Sequence, residues 1–156
     1  MKICIYGAGA IGGYLGVELM RAGADVSLVA RGAHLAAMRQ NGLKLLIGDE
    51  ERVVHPRCTD NPAELGEQDF VIICLKAHSI TGVIEPMRPL LGERTRIVTA
   101  VNGIPYWYFY RHGGRHEGST LESIDPGGRQ WSELGAARAI GCVVYPATEI
   151  EAPGVI

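Results

Sequence analysis

Six residues near the start of the chain, Gly7-Ala8-Gly9-Ala10-Ile11-Gly12, have the types and spacing to hold a pyrophosphate. Glycine-rich hexapeptides are common, so the weight of this one comes from its surroundings. The apolar run Ile3-Cys4-Ile5-Tyr6 leads into it and an amphipathic run follows as far as Gly23, which reads as strand, turn and helix. In that order Gly7 permits the tight turn, Gly9 lets the backbone approach a pyrophosphate, and Gly12 lets helix and strand pack closely. The first-turn N–H groups of the helix then face the phosphates.

Three further side chains could act with this turn. Arg31 follows the second apolar run, Asp25 to Ala30, where a fold that prefers NAD usually carries Asp or Glu for the ribose hydroxyls. A guanidinium there pairs with a 2′-phosphate, which favours NADP; the alternative is a solvated arginine opening the next helix. Lys76 closes the apolar run Asp69 to Leu75, at the end of the strand where open α/β sheets place ligand groups. It can reach a cofactor or an anionic substrate, or simply cap the sheet. Asn102 stands at the end of the run Arg96 to Val101 and shares that edge, although Asn-Gly is also an ordinary turn pair.

The elements that must position these groups follow from the apolar pattern. Ile11, Leu15, Leu19 and Ala22 form one helical face, with Gly23 ending the helix. Gly32 to Gln40 reads as a short helix with Leu35 and Met38 inward. Leu43 to Ile47 and Arg52 to His55 flank Gly48 to Glu51, predicting a hairpin, and Asn61-Pro62 caps a helical turn. Asp69 to Leu75 is expected to be buried on both faces. Pro86 and Pro89 interrupt the next helical pattern, so a kink or two short helices meeting near Glu85 are expected. Ile104 to Asp125 is least legible; its cluster Tyr106 to Tyr110 suggests packing, a cover for the site or a subunit contact. Trp131 to Leu134 reads as a brief helix, Arg138 to Tyr145 as a final central strand, and Thr148 to Glu151 as the start of an edge strand. Together these make an α/β, doubly wound, mostly parallel sheet with helices on both faces and a small hairpin, as a single dinucleotide-binding domain over residues 1–156.

Composition sets the outer bounds. With 156 residues, 47% hydrophobic and 21% charged, the chain has the size and make-up of one ordinary globular domain. A formal charge of −2 gives no electrostatic case for nucleic acid or an anionic membrane, and no apolar run is long enough to span a bilayer. A cytoplasmic protein is the default expectation. Cys4, Cys74 and Cys142 lie in apolar runs as core thiols, while Cys58 sits in polar sequence as a surface or reactive one. The five histidines show no ligand spacing, so no metal is expected.

Taken as a set, the opening Lys2 to Gly12, Arg31 to Leu45 with Asn41-Gly42-Leu43, Leu75-Lys76-Ala77, Val101-Asn102-Gly103 and Ala152-Pro153-Gly154-Val155 resemble the N-terminal half of ketopantoate reductases, the 2-dehydropantoate 2-reductases. The resemblance implies a Rossmann-type domain and NADPH-dependent reduction of a small 2-oxo acid, ketopantoate, to pantoate on the route to coenzyme A. It implies that Gly7, Ala8, Gly9, Ala10, Ile11 and Gly12 hold the pyrophosphate, that Arg31 holds the 2′-phosphate, and that Lys76 and Asn102 contact cofactor and substrate. Asn102 would orient both, and Ala147 would line the nicotinamide side. Family members carry the general-acid lysine and a substrate-binding glutamate in a second, helical domain that has no counterpart here, so the chain reads as cut inside a longer protein and poorly active alone. A domain stripped of its partner also exposes an apolar face that can form a homodimer. The competing readings are a non-catalytic NADP-binding module or cofactor sensor, and a reductase for another 2-oxo acid.

Overall fold

The computed structural model describes residues 1–156. In chain order its elements are β1 (Lys2–Tyr6), α1 (Ala10–Arg21), β2 (Asp25–Val29), α2 (Gly32–Asn41), β3 (Leu43–Ile47), β4 (Glu50–Val54) and β5 (Arg57–Thr59). The second half supplies β6 (Phe70–Ile73), α3 (Ala77–Ile80), α4 (Ile84–Met87), β7 (Arg96–Ala100) and β8 (Ala139–Cys142). Six strands form one parallel sheet in the order β5-β2-β1-β6-β7-β8, and β3 and β4 form a separate antiparallel hairpin. The chain winds outward from β1 through β2 to β5, then returns to β6 and winds the other way. Such a reversal opens a crevice beside the carboxyl ends of the two central strands.

Right-handed crossovers in opposite directions put the two sets of helices on opposite faces. Ile3, Ile5, Val26 and Leu28 pack on one face with Val17, Leu35, Met38, Leu43 and Leu45. Cys4, Tyr6, Val71, Ile73 and Ile97 pack on the other with Ile80, Ile84, Met87 and Leu90. The α1 face is covered only over the first half. Along the row Leu28, Ile5, Ile72, Val98, Ile140, exposure rises from 0% at Leu28 and Ile5 to 40% at Ile140.

Several expectations change in detail. The buried side of α1 is Gly12, Gly13, Gly16 and Val17, with Gly13 turned to Leu43 and Ile156; Leu15 and Leu19 pack half-buried against the same core, Ile11 is half-buried and Ala22 is exposed. Glycines win that face because the helix lies too close for larger residues: a Cβ at Gly16 would come 3.1 Å from Leu28, and one at Gly13 would come 2.6 Å from Ile156. The helix still ends as expected, with the N–H groups of Gly23 and Ala24 bonding back to the carbonyls of Met20 and Leu19. Asn61 caps its turn through the N–H of Ala63, and Leu35 and Met38 are buried beneath α2.

The hairpin turn is only Gly48-Asp49, because Glu50 and Glu51 already pair with Ile47 and Leu46. β6 alternates instead of burying both faces, with Val71 and Ile73 enclosed and Phe70 and Ile72 half-open. The proline-rich helix breaks earlier than expected, at Thr81–Val83, where a 3-10 turn separates α3 from α4. Gln130–Gly135 forms a single π-helical turn. The final strand is shorter than read and lies at the sheet edge, since nothing pairs beyond β8. Thr148 to Glu151 forms no strand. Instead the last residues join the hairpin: Lys44 donates to the Gly154 carbonyl at 2.9 Å, Ile156 donates to Lys44 at 2.9 Å, and Leu46 donates to Ile156 at 2.8 Å.

Candidate nucleotide site

The glycine turn is built by two constraints. The N–H groups of Gly7 and Ala8 both donate to the carbonyl of Val29, each at 3.1 Å, which ties the turn to the end of β2. Gly7 has φ +103°, which only glycine adopts freely, and a Cβ there would come 2.6 Å from Leu75. A Cβ on Gly12 would run into the carbonyl oxygen of Gly7, so the close packing expected of this position is real.

Gly9 differs from both. A Cβ there would meet nothing within 4 Å, so no steric demand of the fold explains this glycine. The first helical bond of α1 runs from the Gly13 N–H to the Gly9 carbonyl at 2.7 Å, which leaves the N–H groups of Ala10, Ile11 and Gly12 without a carbonyl partner. Three free donors at the positive end of a helix of 12 residues suit an anion. The residues present therefore fit a pyrophosphate.

Arg31 follows β2 by two residues and caps α2 in extended conformation, with φ −146° and ψ 166°. Its side chain is exposed and bonds to nothing, and its neighbour Val29 holds the glycine turn, so the guanidinium is free at the same sheet edge. Lys76 caps α3, three residues beyond the last residue of β6, and is exposed without an ion-pair partner. Asn102 follows β7 by two residues, but its amide is engaged: Nδ2 donates to the Val144 carbonyl at 3.0 Å, and Oδ1 accepts from the Val144 N–H at 3.1 Å. Beneath it lies a cavity of about 30 Å³ bounded by Ile80, Thr99 and Tyr106, room for a water and no more. Ala147 lies past the edge strand and lines an open groove of about 490 Å³ with Tyr14 of α1 and Leu45 to Ile47 of the hairpin.

The fold thus joins Gly7 to Gly12 with Arg31 through Val29, sets Lys76 and Asn102 behind the neighbouring strand ends, and puts Ala147 in the groove beside α1. Reading the sequence missed Val144 and Tyr14. No local signal marks Val144, which lies 42 residues from Asn102. Tyr14 could have been found from helical spacing, since it follows the last free N–H by two residues.

Other groups fall outside this edge. Cys58 is neither a surface nor a reactive thiol: it sits in β5, buried, its thiol donating to the Pro56 carbonyl at 3.3 Å, and burial pushes its pKa up to about 11. Burial likewise pushes Cys4 and Cys74 up to about 12, although Cys74 is only partly enclosed. Of the aromatic cluster, Tyr106 is in the core, where burial raises its phenol pKa, and Trp107 donates to the Thr99 hydroxyl at 3.4 Å. Tyr108 is exposed and stacks edge-on with Phe109. No helix is long and apolar enough to cross a membrane.

Residues 3–106 match the model of the family described as ketopantoate reductase PanE/ApbA. The chain is 52% identical over its whole length to a 2-dehydropantoate 2-reductase of Mesorhizobium japonicum, covering 48% of that protein. Among solved structures, a putative ketopantoate reductase from Ralstonia solanacearum MolK2 superposes with a TM-score of 0.90 at 40% identity, over 98% of this chain and 47% of that one. A 2-dehydropantoate 2-reductase from Porphyromonas gingivalis W83 gives 0.78 at 31% identity, over 99% of this chain and 50% of that one. The chain spans about half the length of these relatives, and on the match of both sequence and fold it belongs to the ketopantoate reductase family.

Proposed function

We propose that residues 1–156 form the NADPH-binding domain of a reductase that converts ketopantoate to pantoate. The observation that carries this reading is the trio of free N–H groups at the start of α1, facing open space at Gly9. Ala10, Ile11 and Gly12 donate to the pyrophosphate, and the unpaired Arg31 receives the 2′-phosphate in bidentate fashion. Bound in that way, the nicotinamide supplies the hydride for a ketone. Lys76, a free cation at the same edge, attracts the carboxylate of a 2-oxo acid, and Ala147 offers a small surface on the groove wall.

Parallel titrations with NADPH and NADH test the assignment. NADPH is expected to bind at least about tenfold more tightly, and Arg31→Ala to remove that preference by weakening NADPH alone. Equal affinities in the unsubstituted chain, or a preference that survives Arg31→Ala, overturn it. The four free cysteines go with a reducing, cytoplasmic setting. A homodimer is the finer reading of its partners: the half-open row Ile72, Val98 and Ile140 offers apolar surface to a second copy. A monomer mass at every concentration in sedimentation equilibrium overturns it.

A further inference from the structure

The β7–β8 ladder ends where Ala100 stands opposite Cys142, and the next position of the same face would set Asn102 opposite Val144. At that point the backbone of β7 leaves the sheet, turning at Gly103 with φ +112°. The Asn102 side chain takes over from it. A primary amide carries a donor and an acceptor side by side, as a strand's backbone does, and here both are used on one residue, at 3.0 Å to the Val144 carbonyl and 3.1 Å from its N–H. Apart from a long thiol contact from Cys142 to the Val143 carbonyl at 3.9 Å, these are the only hydrogen bonds holding the Val143–Ala147 backbone. Packing adds little, since Val143 is 71% exposed and Tyr145 is 89% exposed, and only Val144 between them is half-buried.

We propose that Asn102 is a positioning residue. Its amide extends the β7–β8 ladder by one register and so fixes Val143–Ala147 as the wall of the groove beside Tyr14. The clamp uses one N–H and one lone pair of the amide, and the exposed side chain keeps a second of each for cofactor or substrate. That the wall faces the nicotinamide end rests on the nucleotide-site reading above, whereas the clamp itself does not.

Amide hydrogen exchange on the 156-residue chain reads the clamp directly. Asn102→Ala removes both bonds, and the Val144 N–H is expected to exchange roughly tenfold faster or more. Asn102→Asp keeps an acceptor for that N–H but sets a carboxylate against the Val144 carbonyl, so its exchange should fall between. The amides of β1 in the same spectra separate local release from unfolding. NADPH titrations of the three proteins should show affinity falling in the same order as Val144 protection. Unchanged Val144 exchange in Asn102→Ala overturns the proposal, as does weakened NADPH binding with Val144 still protected, which would make Asn102 a direct contact. If the unsubstituted chain binds no NADPH, the nucleotide reading fails and the exchange rates still decide the clamp.

Discussion

At the scale of single residues, the three glycines of the turn have distinct physical jobs that substitution separates. Gly12→Ala forces a methyl group into the Gly7 carbonyl, backbone against backbone, and is expected to cost about 1–3 kcal/mol of stability in urea denaturation. Gly9→Ala puts its methyl into open space at φ −74°, which alanine adopts readily, so stability should stay within about 0.5 kcal/mol. Under the proposed nucleotide role the same methyl stands in the path of the pyrophosphate, and NADPH affinity should fall by at least about tenfold. Gly9→Ala that binds NADPH as the unsubstituted chain does would remove the phosphate role. The backbone roles of Gly7 and Gly12 were legible beforehand because a six-residue motif is local: the same atoms that spell it also make the turn. Asn102 was legible only as a residue at the right edge, since its partner Val144 is brought to it by β8.

At the scale of elements, close approach replaces bulk. α1 lies against the sheet through Gly12 and Gly16 and against the hairpin corner through Gly13, and Arg52 of β4 bonds Glu18 of α1 at 2.8 Å. The chain end completes this corner: Ile156, 6% exposed, fills the space that Gly13 leaves. Ile156→Ala should therefore destabilise the chain by about 2–4 kcal/mol, measured by urea denaturation. A loss under about 0.5 kcal/mol would show that the Ile156 side chain is not packed there. Helical periodicity pointed instead to Ile11, Leu15 and Leu19, because a pattern of apolar side chains cannot register a face whose packing consists of missing ones. The helix is broken, as read, but the break falls at Thr81–Val83, upstream of Pro86 and Pro89, so the prolines that signalled it do not place it.

At the scale of the whole molecule, buried thiols make stability depend on pH. Cys4 and Cys74 are held up to about 12 and Cys58 up to about 11, against an ordinary value of 9.0. In the unfolded chain these thiols ionise first, so it binds fewer protons than the native state above about pH 9, and stability falls as pH rises. Their contribution is complete below that point and is lost progressively toward pH 11–12. Tm should decline between about pH 9 and about pH 11, and a Tm that stays level over that interval overturns the account. The activity of the family belongs to proteins about twice this length. We expect these 156 residues to bind NADPH while turning ketopantoate over poorly or not at all; ketopantoate-dependent NADPH oxidation by this chain alone would overturn that.

By itself the sequence determined what depends on neighbours along the chain: the strand, turn and helix around Gly7 to Gly12, the cation after β2, the doubly wound order, and the ends of α1 and α2. Glycine conformation, proline geometry and apolar periodicity act over a few residues, so their consequences can be read without the fold. The tertiary structure alone decided which residues meet across the chain. It placed β8 at an edge, buried Cys58 in β5, paired Ile156 with β3, and bonded the Asn102 amide to Val144. Those outcomes depend on strand order and register, which bring together residues dozens of positions apart and leave no mark on either stretch of sequence.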